Sequence, residues 1–237
     1  MNAMIFAAGL GTRLQPLTNN KPKALVEFKG KPLIWYAMQN VINAGAERVV
    51  VNVHHFAQQV IEYINSNQWN AEVLISNESD LLLDTGGGLV KAKSRFIPNK
   101  PIIIQNADIL ISTNIKKCIS SHLNSGNDAT LMVKNRNTSR YLLFNNDYRL
   151  IGWENVNSNE QIKVNEESIH HKLGFCGVHV VEPSLIEAMG ESRPFSIIKA
   201  YLNLADRYKI AGYQIADSDK WFDVGTVDKL NEAKLNY

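Results

Sequence analysis

Cysteine is almost missing from this chain of 237 residues, which has only Cys118 and Cys176. Two such thiols make neither a disulfide framework nor a metal-ligand spacing, so they read as buried core groups. An excess of one charge is missing too. Lys and Arg number 25 and Asp and Glu 23, a net charge of +2, with no long basic run. Nucleic acid and acidic membrane surfaces therefore drop out as partners. No apolar run approaches the roughly 20 residues of a membrane span. The short apolar start meets polar residues at once, unlike a signal peptide, so a cytoplasmic location is expected. His54-His55 and His170-His171 are adjacent pairs. Neighbours on a strand point to opposite faces, so neither pair makes a zinc clamp.

What is present is an ordinary globular composition, 45% hydrophobic and 20% charged, in a chain long enough to bury most of its surface. Apolar β-branched runs alternate with amphipathic stretches. Strands are expected at 4–7, 48–53, 72–76, 101–108 and 129–134, and helices at 34–44, 56–66, 88–96 and 115–124. Repeated β-α-β-α implies a parallel sheet with helices on both faces. The second half changes character. A hairpin is expected at 141–153 around Asn145-Asn146-Asp147, and a polar loop at 155–168. Strands at 172–183 and 208–215 and helices at 196–207 and 226–237 follow. The chain thus divides into a nucleotide-binding half, 1–134, and a half for a second substrate, 135–237.

The first strand runs into AAGLGTRLQPLTNNKPKALV, Ala7 to Val26. In an open parallel sheet, ligands collect at the carboxyl ends of strands. Gly9 and Gly11 let backbone N–H groups approach an anion. Arg13 adds a planar fork suited to phosphate oxygens, and Lys23, after Pro22, adds a point charge. The segment is neither a Walker A loop nor a dinucleotide fingerprint, since no GK[ST] follows and the third glycine is missing. A phosphate chain is the ligand these residues suit.

This pattern, AAGLGTRLQPLT with KPKALV, resembles the signature of the sugar-1-phosphate nucleotidyltransferases. The resemblance continues in order through DTGGG (84–88), NAD (106–108) and WFDVGT (221–226). It implies an α/β, Rossmann-like, mostly parallel sheet flanked by helices, with a small mixed β insertion. It also implies that a nucleoside triphosphate and a sugar 1-phosphate are joined to an NDP-sugar with release of pyrophosphate. Carried over residue by residue, Ala7 and Ala8 bind the nucleotide, Gly9, Gly11, Thr12 and Arg13 lie at its β- and γ-phosphates, Lys23 lies near the α-phosphate or the acceptor phosphate, and Thr85, Gly86 and Gly87 bind the base. Asp108 and Asp223 hold Mg²⁺, which favours one or two carboxylates plus substrate phosphates. Arg13, Lys23 and Asp108 act in catalysis. Asn106, Cys176 and Gly177 face the sugar phosphate, the last two within FCGV (175–178).

The chain also departs from the family. Ala107 stands where glycine often precedes the first metal aspartate. No Glu-Lys-Pro supplies a lysine for the sugar phosphate; WEN (153–155) occupies that region, and Arg136 or Arg140 is the candidate substitute. The short tail fits the branch that includes N-acetylmuramate-1-phosphate uridylyltransferases of cell-wall recycling. UTP with N-acetylmuramate 1-phosphate leads, and GTP with mannose or heptose 1-phosphate is next. A non-catalytic nucleotide-sugar sensor is the rival of another class. A glycosyltransferase is disfavoured, because the fourth strand ends in Asn106-Ala107-Asp108 rather than Asp-x-Asp. Both a monomer and a homodimer are open.

Overall fold

The computed structural model describes residues 1–237. The first half runs β1 (Asn2–Phe6), a short ribbon of β2 (Glu27–Phe28) and β3 (Lys31–Pro32), α1 (Leu33–Asn43), β4 (Arg48–Val53), α2 (Ala57–Asn65), β5 (Glu72–Asn77), α3 (Asp84–Ala92), β6 (Ile102–Asn106), β7 (Ile109–Ile111), α4 (Ile115–Ser125) and β8 (Ala129–Lys134). The second runs β9 (Arg140–Phe144), β10 (Leu150–Asn155), β11 (Glu160–Lys163), β12 (His171–Val181), α5 (Pro183–Ala188), α6 (Ile197–Leu204), β13 (Ile210–Gln214), β14 (Trp221–Asp223) and α7 (Val227–Asn236).

One large sheet has the order β11-β10-β9-β12-β6-β1-β4-β5, with β8 also on β12 and β13 on β8. The apolar run RVVVNV becomes β4, which is buried apart from its first residue because strands pair with it on both edges and helices cover it. β1 pairs in parallel with β4 and β6. From β1 the chain therefore winds out to β4 and β5, then returns to β6 on the other side. That reversal opens a crevice at the carboxyl ends of β1 and β6, where such sheets bind ligands.

The second half joins by antiparallel pairing. β12 runs between β6 and β8 and also pairs with β9. A register shift between Phe175 and His179 bends it, and Gly177 in that stretch has φ +71. One face of the sheet packs on α1, α2 and α4 through residues such as Ile34, Met38, Val60 and Cys118. The other packs on α3, α5 and α6 through Leu89, Leu185 and Tyr201. A smaller core of Leu14, Phe28, Leu110, Val224 and Leu230 seats α7. No helix is long and apolar enough to cross a membrane.

Three expectations need correction. The helix expected at 88–96 begins at Asp84 and takes in all three glycines of DTGGG. The strand expected at 101–108 ends at Asn106, and a separate strand, β7, pairs antiparallel with β14. The polar stretch 155–168 is not all loop: Glu160–Lys163 pairs along β10 as an edge strand, its charged side chains facing solvent.

Candidate active site

A cleft of about 380 Å³ opens at the crevice, lined by Ala7, Ala8, Gly9, Lys23, Thr85, Asn106 and Asp108 among others. Its floor is fixed by hydrogen bonds at the strand ends. The Ala107 N–H donates to the Phe6 carbonyl at 3.1 Å, tying β6 to β1. The Ala7 N–H donates to Asn52 Oδ1 at 2.8 Å. Asn52 in turn donates from Nδ2 to Glu78 Oε1 at 2.8 Å. Glu78 is completely buried, and desolvation raises its carboxyl pKa against the opposing hydrogen bond from Asn52.

The opening loop leaves the floor at Gly9. A Cβ there would meet no protein atom within 4 Å, so the room above this turn is open to a ligand. Gly11 differs: its φ of +71 needs glycine, and a Cβ would approach Lys23 Cβ to 3.0 Å. Its carbonyl accepts the Thr18 hydroxyl at 2.8 Å and the Leu14 N–H at 2.9 Å, which folds Thr12–Leu14 into a single 3₁₀ turn. Thr12 and Arg13 are exposed on that turn, while Leu14 is buried under α7. Pro22 is extended, and Lys23 opens a second 3₁₀ turn. Its ammonium forms an ion pair with Asp108, both side chains less than one-fifth exposed.

The two aspartates meet through strand pairing. Asp223 lies opposite Ile109 in the β14–β7 register. The Val224 N–H donates to the Asp108 carbonyl at 3.0 Å. Asp223 Oδ1 accepts the Gly225 N–H at 3.0 Å, and Oδ2 pairs with Lys229 Nζ at 3.3 Å. Gly225 marks the point of convergence. A Cβ placed on it would lie 2.8 Å from Asp223 Oδ1, 3.2 Å from Arg13 Nη2 and 3.4 Å from Lys23 Nζ. Residues from the start, middle and end of the chain thus gather two carboxylates and two cations around one spot. No third acidic, histidine or cysteine side chain completes a metal cage.

Not every expected residue reaches this spot. Gly86 and Gly87 are buried within α3 rather than lining the cleft. A Cβ on Gly86 would strike the Phe195 ring at 2.2 Å, and one on Gly87 the Arg193 carbonyl oxygen at 2.0 Å. These glycines admit the segment Ser192–Ser196, which crosses the helix and is stitched to it. The Gly86 N–H donates to the Phe195 carbonyl at 2.9 Å, the Ser192 hydroxyl to the Gly87 carbonyl at 3.1 Å, and the Ile197 N–H to Thr85 Oγ1 at 3.0 Å. Arg140 is exposed at the start of β9, and neither it nor the half-buried Arg136 lines the cleft. The Cys176 thiol lies in the core, where burial pushes its pKa up to about 12. Its carbonyl, which accepts the Trp221 indole N–H at 2.8 Å, is the part turned toward β14. Gly177 sits against Asn106, whose Nδ2 would be 3.0 Å from a Cβ there.

Sequence reasoning passed over Asn52 and Asp84. Both line the cleft. A lone polar residue inside RVVVNV was the available signal for Asn52. Asp84 has φ +57, a left-handed conformation uncommon for a residue with a side chain. Its Oδ1 accepts the Thr85 N–H at 2.6 Å, which holds the turn into α3.

Comparisons with known proteins identify the family and the fold. A family model described as nucleotidyl transferase matches residues 2–148. The chain is 30% identical over 230 residues to an N-acetylmuramate alpha-1-phosphate uridylyltransferase of Caulobacter vibrioides, covering 94% of this chain and 91% of that one. It is 28% identical over 228 residues to the mannose-1-phosphate guanylyltransferase catalytic subunit beta of Drosophila melanogaster, covering 94% of this chain but 59% of that longer protein. Among solved structures, a UDP-glucose pyrophosphorylase from Acinetobacter baumanii superposes with a TM-score of 0.81 at 18% identity, covering 100% of this chain and 92% of the other. HddC from Yersinia pseudotuberculosis complexed with GMP-PN gives 0.75 at 21% identity, with 99% and 98% covered. At such identities the two structures speak to the fold alone.

Proposed function

The chain belongs to the nucleotidyl transferase family and is a sugar-1-phosphate nucleotidyltransferase; from that premise we propose that it joins UTP to N-acetylmuramate 1-phosphate in the cytoplasm, using Mg²⁺. The observation that carries the site assignment is the gathering of Arg13, Lys23 and Asp223 around Gly225, with Asp108 paired to Lys23. The choice of substrates leans on the likeness to the Caulobacter vibrioides uridylyltransferase over nearly the full length of both chains.

In this reading the phosphate oxygen of the sugar 1-phosphate attacks the α-phosphorus of the triphosphate in line. A new P–O bond forms, the bond to the bridging oxygen of the β-phosphate breaks, and pyrophosphate leaves with that electron pair. A phosphate monoester is ionised at neutral pH, so no side chain has to remove a proton. The work left to the protein is positioning and charge stabilisation. The open space above Gly9 admits the triphosphate. Arg13 and Lys23 lie against its oxygens and stabilise the charge that builds on the leaving group. Two carboxylates beside a polyphosphate form a donor set that suits Mg²⁺, so Asp108 and Asp223 would be the residues that hold it. The ion, when bound, supplies charge neutralisation at the reacting phosphates. Lys23 pairs with Asp108, and its Nζ lies close to where a Cβ on Gly225 would stand, at the spot where the cations gather.

Binding the base falls to Thr85, Asp84 and the floor at Ala7 and Ala8, with Gly86 and Gly87 acting from beneath through helix packing. The half 1–134 serves the nucleotide, and 135–237 the sugar phosphate. The test is a matrix of four nucleoside triphosphates against N-acetylmuramate, N-acetylglucosamine, mannose and glucose 1-phosphates, scored by pyrophosphate release with Mg²⁺. UTP with N-acetylmuramate 1-phosphate should give the highest kcat/KM. A maximum at GTP with mannose 1-phosphate would move the chain to the guanylyl branch. Absence of pyrophosphate from every pair would leave the sensor reading in its place.

A further inference from the structure

Arg136, in the connection between β8 and β9, is a cation without an anion. Its side chain is half-buried, yet no ion pair of the chain includes it. The guanidinium carbon lies over the Trp221 ring, 4.2 Å from its centre, a cation–π contact. Nη2 donates to the Phe175 carbonyl at 3.1 Å. Nε is buried with no hydrogen-bond partner. Burial weakens the guanidinium's hold on its proton, with Cys176, Asp223 and Tyr141 opposing that effect. Enclosing a charge without a counter-charge is costly, and natural sites rarely do so without a reason.

The surroundings are shaped to keep it there. A Cβ on Gly174 would come within 2.8 Å of Arg136 Nε and Cζ, so β12 carries glycine where the guanidinium lies. Trp221 is held in turn by the hydrogen bond from its indole N–H to the Cys176 carbonyl. Trp221 and Asp223 are two residues apart on β14 and project to the same face, about 7 Å along the strand. The ring over which the guanidinium lies is therefore two residues from the carboxylate we place at the reacting phosphates. It comes from the second half of the chain.

We propose that Arg136 anchors an anionic group of the sugar-phosphate substrate, either its 1-phosphate or a carboxylate carried on the sugar. This inference rests on the reading that the site takes a sugar 1-phosphate. It places the anion-binding side chain on Arg136 and not on the exposed Arg140. Charge-assisted, two-pronged hydrogen bonding is what a fixed guanidinium offers and a lysine does not.

The test uses the full chain with Mg²⁺ and the best triphosphate. Arg136→Gln should raise KM for the sugar 1-phosphate by about tenfold or more, with KM for the triphosphate unchanged. Arg136→Lys, which keeps the charge and protects the fold, should give a smaller rise in the same constant. Comparing N-acetylmuramate 1-phosphate with N-acetylglucosamine 1-phosphate separates the two sources of the anion. Loss on both substrates assigns the phosphate, and loss on the acidic sugar alone assigns the carboxylate. The inference is overturned if both variants lower Tm without moving the sugar-phosphate KM, or raise both KM values together. Calorimetric titration with the sugar 1-phosphate keeps it separate from the catalytic reading. Binding that depends on Arg136 without pyrophosphate release would sink the enzyme reading and leave the anchor standing. A wild-type chain that binds no sugar 1-phosphate would overturn the anchor itself.

Discussion

On the proposed nucleotide side of the cleft, Ala7, Gly9, Gly11, Arg13 and Lys23 come from one unbroken stretch that follows one buried strand. On the proposed sugar side, Arg136, Gly174, Phe175 and Trp221 come from three separate segments, brought together by the antiparallel pairing of β12 and β14. The first is a local device: a strand, a turn needing glycine, and cations at fixed offsets. The second exists only once the sheet is complete. A local device can be carried intact from one protein to another, whereas an assembled one can be rebuilt with different residues. That difference accounts for a nucleotide side that can be read from one run of sequence and a sugar side that cannot.

The largest effect that bears on this contrast is expected at Asp108, where the two sides touch. Asp108→Asn should lower pyrophosphate release by about a hundredfold or more, with a melting temperature close to that of the parent. Turnover near the parent level, measured at saturating substrates, would detach the carboxylate from the chemistry. Lys23→Ala should cost about a hundredfold in kcat; an effect confined to sugar-phosphate KM would move this lysine across to the other side. Asp223→Asn should raise the Mg²⁺ concentration for half-maximal rate by roughly tenfold, read from a metal titration of the initial rate.

Gly87→Ala tests packing beneath the cleft. The methyl would meet the Arg193 carbonyl, costing about 1–3 kcal/mol, or a few degrees of Tm for a chain of this size. An unchanged Tm would mean that segment 192–196 is not pressed on the helix. The smallest effect on activity is expected at His179, which is wholly buried on β12, its two ring nitrogens unpartnered. Burial lowers its pKa from 6.5 to about 3, so the folded chain takes up this proton less readily than the unfolded one. The stabilisation is complete above pH 6.5 and is lost as pH falls toward 3, by up to about 1.4 kcal/mol per pH unit. His179→Leu should leave turnover at pH 7 unaltered and flatten the fall in denaturation midpoint between pH 6 and pH 4. An equal slope in both chains would show that carboxylates alone set the acid limit.

Much of the fold was legible because β-branched runs such as RVVVNV and PIII form strands buried on both faces. Helices such as Leu33–Asn43 carried clear apolar spacing and a glycine just beyond them. DTGGG misled because glycine is a poor helix former in isolation. Here the penalty is outweighed by contacts only glycine permits: Phe195 on Gly86, the Arg193 carbonyl on Gly87 and Glu78 near Gly88. Strand Glu160–Lys163 was hidden because an edge strand facing solvent carries no apolar alternation. The cradle's members could be named from their types and order. Their meeting around Gly225 could not, since it depends on β14 pairing with β7. Arg136 was named only as one of two candidates because nothing local distinguishes it from Arg140; its ring partner is far along the chain.

The pairing of β14 with β7 also bears on how the protein is made. Chains fold progressively from the amino end during synthesis. The phosphate loop and Asp108 therefore emerge, and begin to fold, well before Asp223 and the helix that seats it against Phe28 and Leu14. A product cut short before β14 would lack Asp223 and the strand that pairs with β7. On the proposed reading, activity therefore demands a chain translated through β14, although Gly9, Gly11 and Lys23 are made long before it.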